Sequence, residues 1–222
     1  MNDIFSNLKD DQYDPAVFFL DVHLENLLKI ITKIGEPLEG NILYEHMETD
    51  FGSGFSPNFL AKRRALSVFA MANNNILEVG FNSGFSSLLM LSMNEGLKIT
   101  AIDLCEHKYT IPCYEYLKQA FPGRLNLYPG NSLYTIPRVL AQDNLFNAYH
   151  IDGGHGIDVA EADLLNVISS CKNGSIICFD DTDFYDLRCM LLKYVLSGKI
   201  ISIASDFDLI NTGVHMFFKV TK

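Results

Sequence analysis

The sequence predicts an α/β fold in which a doubly wound, mostly parallel sheet of seven strands has helices on both faces. Two observations carry this prediction. From Asn75 onward, five short apolar runs alternate with stretches of helical periodicity, which is typical of parallel strands joined by crossover helices. Near the C-terminus, residues 200–205 and 214–220 are apolar runs separated by Asn211-Thr212-Gly213, and this turn signal predicts an antiparallel hairpin.

The N-terminal part, residues 1–72, predicts a helical cap with a lid loop, separate from a second unit at residues 73–222. Apolar residues recur at helical spacing over residues 15–34, which predicts the first helix. Residues 38–57 contain three glycines and a proline and predict a long loop, which in a compact domain is usually functional. Residues 58–72 predict a second helix.

Each apolar run in the second unit fits one strand, because short continuous apolar runs suit a sheet that is covered on both faces. The predicted strands are residues 76–79, 98–103, 125–128, 146–152 and 175–180. The predicted helices that follow them are residues 83–93, 111–120, 133–141, 159–170 and 187–196.

Composition excludes several classes of function. The formal net charge is -10, from 17 basic and 27 acidic residues, so the surface repels phosphate backbones and anionic membranes. The one basic cluster, Lys62-Arg63-Arg64, fits a solvated helix face. No apolar run approaches the roughly 20 residues that cross a bilayer, and the five cysteines form no Cys-x-x-Cys pair. We therefore expect a cytoplasmic protein with free thiols that binds neither nucleic acid nor membrane.

The turn after the first predicted strand suits a nucleoside ligand. Its glycines, Gly80 and Gly84, are spaced G-x-x-x-G, unlike the G-x-G-x-x-G of a dinucleotide site. Asp103 ends the second strand, where a carboxylate can accept hydrogen bonds from both ribose hydroxyls. Taken alone, the glycine pair also fits an ordinary tight turn, and Asp103 a helix N-cap. Together, an acidic ribose-binding residue without a pyrophosphate loop favours S-adenosylmethionine over NAD.

Several motifs lie in the same order as in a known family. Residues 76–86, Ile-Leu-Glu-Val-Gly-Phe-Asn-Ser-Gly-Phe-Ser, resemble the first motif of class I S-adenosylmethionine-dependent methyltransferases. The similarity is to the branch that includes catechol-type and macrolide-sugar O-methyltransferases. Gly130-Asn131-Ser132 is similar to the Gly-Asp-Ser of that branch, Asp152-Gly153-Gly154-His155 to its Asp-Gly-x-His, and Phe179-Asp180-Asp181 to its acidic pair. The resemblance covers about residues 73–220 and implies a Rossmann-like methyltransferase fold with a reversed last strand.

The resemblance also implies roles for matching positions. The residues implied at the methyl donor are Glu78, Gly80, Phe81, Asn82, Ser86, Asp103, Leu104, Asn131 and Ser132. Asp103 would hold the ribose, with Leu104 under the adenine, while Asn131 and Ser132 would reach the adenine edge. Glu78 would support the glycine turn or the donor's amino group. Asn131 stands where the family has an acid, so an amide would make this adenine contact in place of a carboxylate.

Three acids are predicted to meet at one edge of the sheet. Asp152, Asp180 and Asp181 follow strands that should be neighbours, and close carboxylates repel one another unless a cation neutralises them. Oxygen-only ligands favour a hard ion, so the three acids predict a Mg²⁺ site. The resembling O-methyltransferases hold Mg²⁺ at this place. His155, three residues after Asp152, is the candidate base that takes the proton from a substrate hydroxyl.

Other interpretations stay open on the sequence alone. His155 also fits a loop histidine bonded to backbone, and Asp180 or Asp181 fits a cap of the next helix. His150-Ile151-Asp152 has the spacing of an Fe(II) facial triad. The leading function is Mg²⁺-dependent O-methyl transfer to a hydroxyl of a small molecule. The alternatives are a metal-independent methyltransferase, including one that acts on nitrogen, and a non-catalytic S-adenosylmethionine-binding protein. The apolar first helix is also a candidate for pairing two copies into a homodimer.

Overall fold

Seven strands form one sheet in the computed structural model, which describes residues 7–8, 10, 12–47, 51–142, 146–203 and 214–222. The strands are β1 (Asn75–Val79), β2 (Lys98–Asp103), β3 (Leu125–Pro129), β4 (Ala148–Ile151), β5 (Ile176–Phe179), β6 (Ile200–Ser202) and β7 (Met216–Val220). Their order across the sheet is β3-β2-β1-β4-β5-β7-β6. Strands β1 to β5 are parallel, whereas β7 is antiparallel to both β5 and β6. The predicted fold and its reversed last strand are confirmed, and the predicted turn at residues 211–213 lies outside the described residues.

Helices flank this sheet in the described part of the chain. They are α1 (Pro15–Phe19), α2 (Asp21–Ile34), α3 (Leu60–Met71), α4 (Phe85–Met93), α5 (Thr110–Ala120), α6 (Ser132–Gln142), α7 (Ile157–Ser170) and α8 (Tyr185–Leu196). The first predicted helix is in fact two, because the backbone at Leu20 (φ -105°, ψ -11°) ends α1 and begins α2. None of the helices described is long and apolar enough to span a bilayer.

Each face of the sheet is covered by its own layer of helices. Helices α2 to α5 pack with Ile76 and Phe217 in one apolar cluster, and α6 to α8 pack with Leu77 and Phe218 in the other. Adjacent residues divide between the two clusters because successive side chains of a strand point to opposite faces. Leu27 of α2 belongs to the first cluster, so the N-terminal helices share a core with the sheet. The domain boundary after residue 72 stays a prediction.

The basic triplet Lys62-Arg63-Arg64 is buried, which corrects the solvated helix face predicted from the sequence. The three residues are 8%, 1% and 9% exposed, because α3 lies between α1 and α4 and has little free surface. Arg63 binds the Asp14 carboxylate through Nε and Nη2, and its Nη1 donates to the carbonyls of Ile42 and Ser56 at 2.9 and 3.0 Å. These partners compensate the cost of burying the guanidinium.

A buried acid on α7 gives the fold a pH-dependent stability. Asp163 is 1% exposed, and neither carboxylate oxygen makes a hydrogen bond of good geometry with the residues described. Burial raises its pKa to about 6, although the nearby Ser132 hydroxyl acts in the opposite direction. A group whose pKa is higher in the folded state stabilises the fold at low pH, and this contribution disappears as pH rises through the folded value.

Replacing Asp163 by asparagine is therefore expected to stabilise the protein more at pH 7.5 than at pH 4.5. The difference between the two pH values should reach about 1–3 kcal/mol in the free energy of unfolding, because it arises over the window from about pH 4 to 6. Urea unfolding of both proteins at both pH values measures it. Asp158→Asn, which changes an exposed acid of the same helix, is the control. An effect of Asp163→Asn that does not change with pH would contradict the prediction.

Candidate functional site

A cleft of about 600 Å³ lies at the carboxyl ends of the parallel strands, where open α/β sheets bind their ligands. Every residue predicted at the site lines this cleft except Glu78. The predicted residues that line it are Gly80, Phe81, Asn82, Ser86, Asp103, Leu104, Asn131, Ser132, Asp152, His155, Asp180 and Asp181. The fold thus brings the two predicted halves of the site, glycine turn and acid cluster, into one cavity.

Glycine at position 80 lets the ends of β1 and β4 approach closely. Its φ is +94°, and a Cβ there would lie 1.9 Å from the carbonyl oxygen of Asp152. Gly84 has a φ of +81°, and a Cβ there would lie 2.5 Å from the ring of Phe81. Both positions need a backbone conformation that residues with side chains rarely adopt. The glycine pair therefore places the turn after β1 directly beside the first acid of the cluster.

Asp103 holds the glycine turn in place. Its Oδ2 accepts hydrogen bonds from the backbone N–H groups of Phe81 and Asn82, each at 2.8 Å. Asn82 has a left-handed backbone (φ 52°), and its side-chain amide donates to the carbonyls of Glu39 and Gly40 at 2.8 and 2.7 Å. The turn is therefore fixed both by the end of β2 and by the segment that precedes α3.

The remaining cleft residues contribute in different ways. Leu104 is 56% exposed, so it offers an apolar surface of the kind that an adenine ring covers. Phe81 is 3% exposed and turns its ring towards Tyr114, so it presents backbone to the cleft. Asn131 accepts a hydrogen bond from the N–H of Leu133 at 2.9 Å, which engages its side-chain oxygen at the start of α6.

Glu78 lies beneath the cleft and is fully buried. Its Oε2 accepts a hydrogen bond from the Ser87 hydroxyl, and its Oε1 lies 3.2 Å from Nδ1 of His150. Of the two roles that the resemblance implies, these contacts fit support of the turn and not contact with the donor. His150 is also fully buried and lies in a group with Cys178 and His215 that does not include Asp152, so the described residues do not form the facial triad considered from the sequence.

The three predicted acids do meet at the cleft. Asp152, His155 and Asp181 each bring one candidate ligand atom within 4.8 Å of the others. Asp180 is 3% exposed, and its Oδ1 lies 2.9 Å from Nε2 of His215 and accepts the N–H of Asp181 at 2.7 Å. Neither acid caps α8, whose N-cap residue is Phe184 without a side-chain hydrogen bond.

Lys62 of α3 reaches into this acid cluster. Its Nζ lies 2.8 Å from Oδ2 of Asp180 and 3.2 Å from Oδ1 of Asp181. Sequence reasoning missed Lys62 and His215 as members of the site, because 118 residues separate Lys62 from Asp180 and no local spacing relates them. The only signal was indirect, since three converging carboxylates need a positive partner.

The charges in the cluster depend on one another. Burial, followed by the charge of Asp180, raises the pKa of Asp152 well above its usual value. Burial also acts to raise the pKa of Asp180, but His215 and Lys62 outweigh it and hold this pKa well below its usual value. Burial acts to lower the pKa of Lys62, yet the surrounding carboxylates raise it overall. Lys62 and Asp180 are therefore an ion pair, and Asp152 is the acid that most readily holds a proton.

Among the residues described, His155 pairs with the Asp181 carboxylate and not with backbone. The distance from Nε2 to Oδ2 of Asp181 is 2.7 Å, and this hydrogen bond raises the pKa of His155. The side chain is 56% exposed at the cleft, and its ring lies 5.9 Å from that of Phe184. When the neutral ring donates from Nε2 to Asp181, its Nδ1 is left as a proton acceptor. This arrangement suits a general base.

As arranged, the acid cluster does not fit a Mg²⁺ ion. The carboxylates have the right chemistry, but such an ion needs oxygens at about 2.0–2.1 Å. Each oxygen of Asp180 and Asp181 already lies against a protein donor from Lys62, His155, His215 or the backbone. The Lys62 ammonium lies at the point that the two carboxylates share, so a divalent ion there would face a positive charge. The predicted Mg²⁺ site is not confirmed.

Comparison with protein families identifies the part of the chain that carries the cleft. Residues 77–182 match the model of a methyltransferase domain. The match spans just under half of the chain. It runs from β1 to just beyond Asp181, so it includes the glycine turn, Asp103 and the acid cluster. The predicted resemblance to class I methyltransferases is confirmed, and with it the prediction of an enzyme.

Solved methyltransferase structures share the fold of this chain. One from Bacillus cereus, in complex with S-adenosylhomocysteine (SAH), is 15% identical with a TM-score of 0.65 and 91% of each chain covered. An SAH-bound methyltransferase from Podospora anserina is 12% identical with a TM-score of 0.66, over 100% of this chain and 95% of that one. The MycE methyltransferase of the mycinamycin pathway, solved with Mg, SAH and mycinamycin VI, is 12% identical with a TM-score of 0.54. That match covers 88% of this chain and 54% of MycE. No curated protein sequence matches the chain.

Proposed function

We propose that the methyltransferase uses S-adenosylmethionine to methylate a hydroxyl group of a small molecule. The observation that carries this proposal is the single cleft in which the Asp103-braced glycine turn lies beside the pair formed by His155 and Asp181. The first feature suits the donor nucleoside, and the second suits removal of a proton from an acceptor. SAH is bound in both the Bacillus cereus and the Podospora anserina relatives, which supports the same donor here.

The donor half of the cleft suits the nucleoside of S-adenosylmethionine. We place the ribose at Asp103 and the adenine over the exposed side chain of Leu104, near Asn131 and Ser132. This orientation directs the sulfonium methyl towards the acid cluster at the other end of the cleft. Gly80 lies between the donor end and the acceptor end of the cleft, and it has no side chain that would collide with a donor bound there.

The acceptor half suits an in-line methyl transfer to oxygen. His155 takes the hydroxyl proton as the acceptor oxygen bonds to the methyl carbon, and the carbon–sulfur bond breaks with its electron pair going to sulfur. The products are the methyl ether and SAH. Asp181 orients the ring and stabilises the imidazolium that forms. Most of the acceleration comes from holding the two reactants in line.

Calorimetric titration of SAH and of NAD tests the donor assignment. We expect the wild-type protein to bind SAH but not NAD, and Asp103→Ala to bind SAH about 10- to 100-fold more weakly, because hydrogen bonds to a charged group are lost. Asp103→Asn keeps one acceptor oxygen and should fall between the two. Glu115→Ala, which removes an exposed acid from α5, is the matched control. A wild-type protein that binds no SAH would remove the proposal.

Three other functions make distinct predictions. The first alternative is a Mg²⁺-dependent transfer, which the Mg bound to MycE supports. An enzyme of this kind would lose activity when a chelator removes the metal. A protein that binds S-adenosylmethionine without catalysis would bind SAH and release none from S-adenosylmethionine with any acceptor. Transfer to nitrogen is distinguished by supplying matched amine and hydroxyl acceptors and identifying the methylated product.

A further inference from the structure

The acid cluster of the methyltransferase already contains a cation that belongs to the chain. The Lys62 ammonium bonds to Asp180 at 2.8 Å and lies 3.2 Å from Asp181, and Lys62 also lines the cleft. The residue is only 8% exposed, so the ion pair is shielded from solvent. A lysine held between two carboxylates at the acceptor end of the cleft is in the position where the sequence alone predicts a metal.

We infer that Lys62 takes the place of a divalent cation, so that methyl transfer in this enzyme needs no metal. The inference rests on the proposed function, because it assigns a role at the same acceptor site. An ammonium group has three N–H donors, and the two carboxylates use two of them. The third donor is available to the oxygen of an acceptor in the cleft.

This arrangement does for an acceptor what a metal ion would otherwise do. A positive charge next to the acceptor oxygen stabilises the negative charge that develops as His155 removes the proton. The same charge neutralises Asp180 and Asp181, which would otherwise repel an anionic oxygen. Lys62 cannot leave easily, because α3 is packed between α1 and α4 and the adjacent Arg63 is anchored to Asp14.

The flanking contacts indicate a cluster built around lysine. The Nε2 atoms of His215 and His155 lie 2.9 and 2.7 Å from the carboxylate oxygens that Lys62 does not contact. The donors and acceptors of the cluster are therefore matched with Lys62 present, and a divalent ion would have to displace several of them.

Binding of Mn²⁺, followed by the loss of its free electron paramagnetic resonance signal, tests the inference without any acceptor. We expect wild-type protein to bind Mn²⁺ only weakly, at about millimolar concentrations or above. Lys62→Met removes the charge and exposes the carboxylates, so its affinity for Mn²⁺ should rise by at least about tenfold. Lys62→Gln provides a second neutral variant. Lys29→Met, at a lysine whose side chain is 64% exposed, is the matched control and should not change binding.

SAH binding, measured on the same samples, separates the two proposals. If the wild-type protein does not bind SAH, the proposed function is wrong. The Mn²⁺ measurement, in contrast, tests only the role of Lys62. The inference would be overturned if the wild-type protein bound SAH and also bound Mn²⁺ with a dissociation constant below about 100 µM. A dedicated site for a divalent ion would then exist beside Lys62. Neutral variants that keep SAH binding but gain no affinity for Mn²⁺ would overturn it as well. Adding Asp181→Asn to Lys62→Met should abolish the new Mn²⁺ site.

Discussion

Replacing His155 by alanine is expected to lower the rate of methyl transfer by about 10²- to 10⁴-fold, the usual contribution of a general base. The reason is the pair with Asp181, which fixes the ring at the acceptor end of the cleft and leaves Nδ1 as the proton acceptor. Release of SAH from S-adenosylmethionine, measured with phenolic, sugar and alkyl hydroxyl acceptors, gives the rate. SAH affinity should change little, because the substitution leaves Asp103 and the glycine turn, where we place the donor, intact.

The chain offers a matched control for this measurement. His107 also lines the cleft, but its Nδ1 bonds to Glu36 at 2.9 Å and not to the acid cluster. His107→Gln should therefore retain most of the transfer rate. If His155→Ala kept wild-type turnover on an acceptor that the wild-type enzyme methylates, the base would have to be another group of the cluster.

The fold could be predicted from the sequence because its signals are local. Strand β2 (Lys98–Asp103) has the predicted bounds, and the acids that end β4 and β5 identify the edge of the sheet where they converge. The sheet topology then brings Asp152 and Asp180 together, since β4 and β5 are neighbours. The spacing of apolar residues, the turn residues and the residues at strand ends are properties of short segments, so they can be identified directly in the sequence.

The electrostatic character of the site could not be predicted in this way. Lys62 lies in the helix that precedes β1, and its partners follow β5. Only the packing of α3 therefore decides whether the charge of Lys62 faces solvent or pairs with carboxylates. The sequence predicted that the Lys62-Arg63-Arg64 triplet is solvated and that the three acids bind Mg²⁺. Both predictions treated the basic triplet and the acids as independent of each other. Long-range ion pairs depend on tertiary structure, and here one of them replaces the predicted ligand chemistry with an ammonium group.

Arg63→Ala is expected to lower the free energy of unfolding by about 3–5 kcal/mol, because it leaves buried partners without their charge. Arg63 is 1% exposed and joins Asp14, the carbonyl of Ile42 and the carbonyl of Ser56. A change of this size should lower the midpoint of thermal unfolding by roughly 10 °C in a domain of this length. Arg63→Lys keeps the charge but not the planar set of donors, so it should recover only part of the loss.

The same substitution should also weaken donor binding, and the two effects can be measured separately. Ile42 follows the residues whose carbonyls hold Asn82, so releasing its carbonyl from Arg63 loosens one of the two braces on the glycine turn. We expect hydrogen exchange to increase first in residues 39–44, at temperatures where the sheet is still protected. Arg138→Ala, at an exposed arginine of α6, controls for loss of positive charge. If Arg63→Ala lowered stability but left exchange in residues 39–44 and SAH affinity unchanged, Arg63 would anchor the N-terminal helices alone, and the glycine turn would depend only on Asp103.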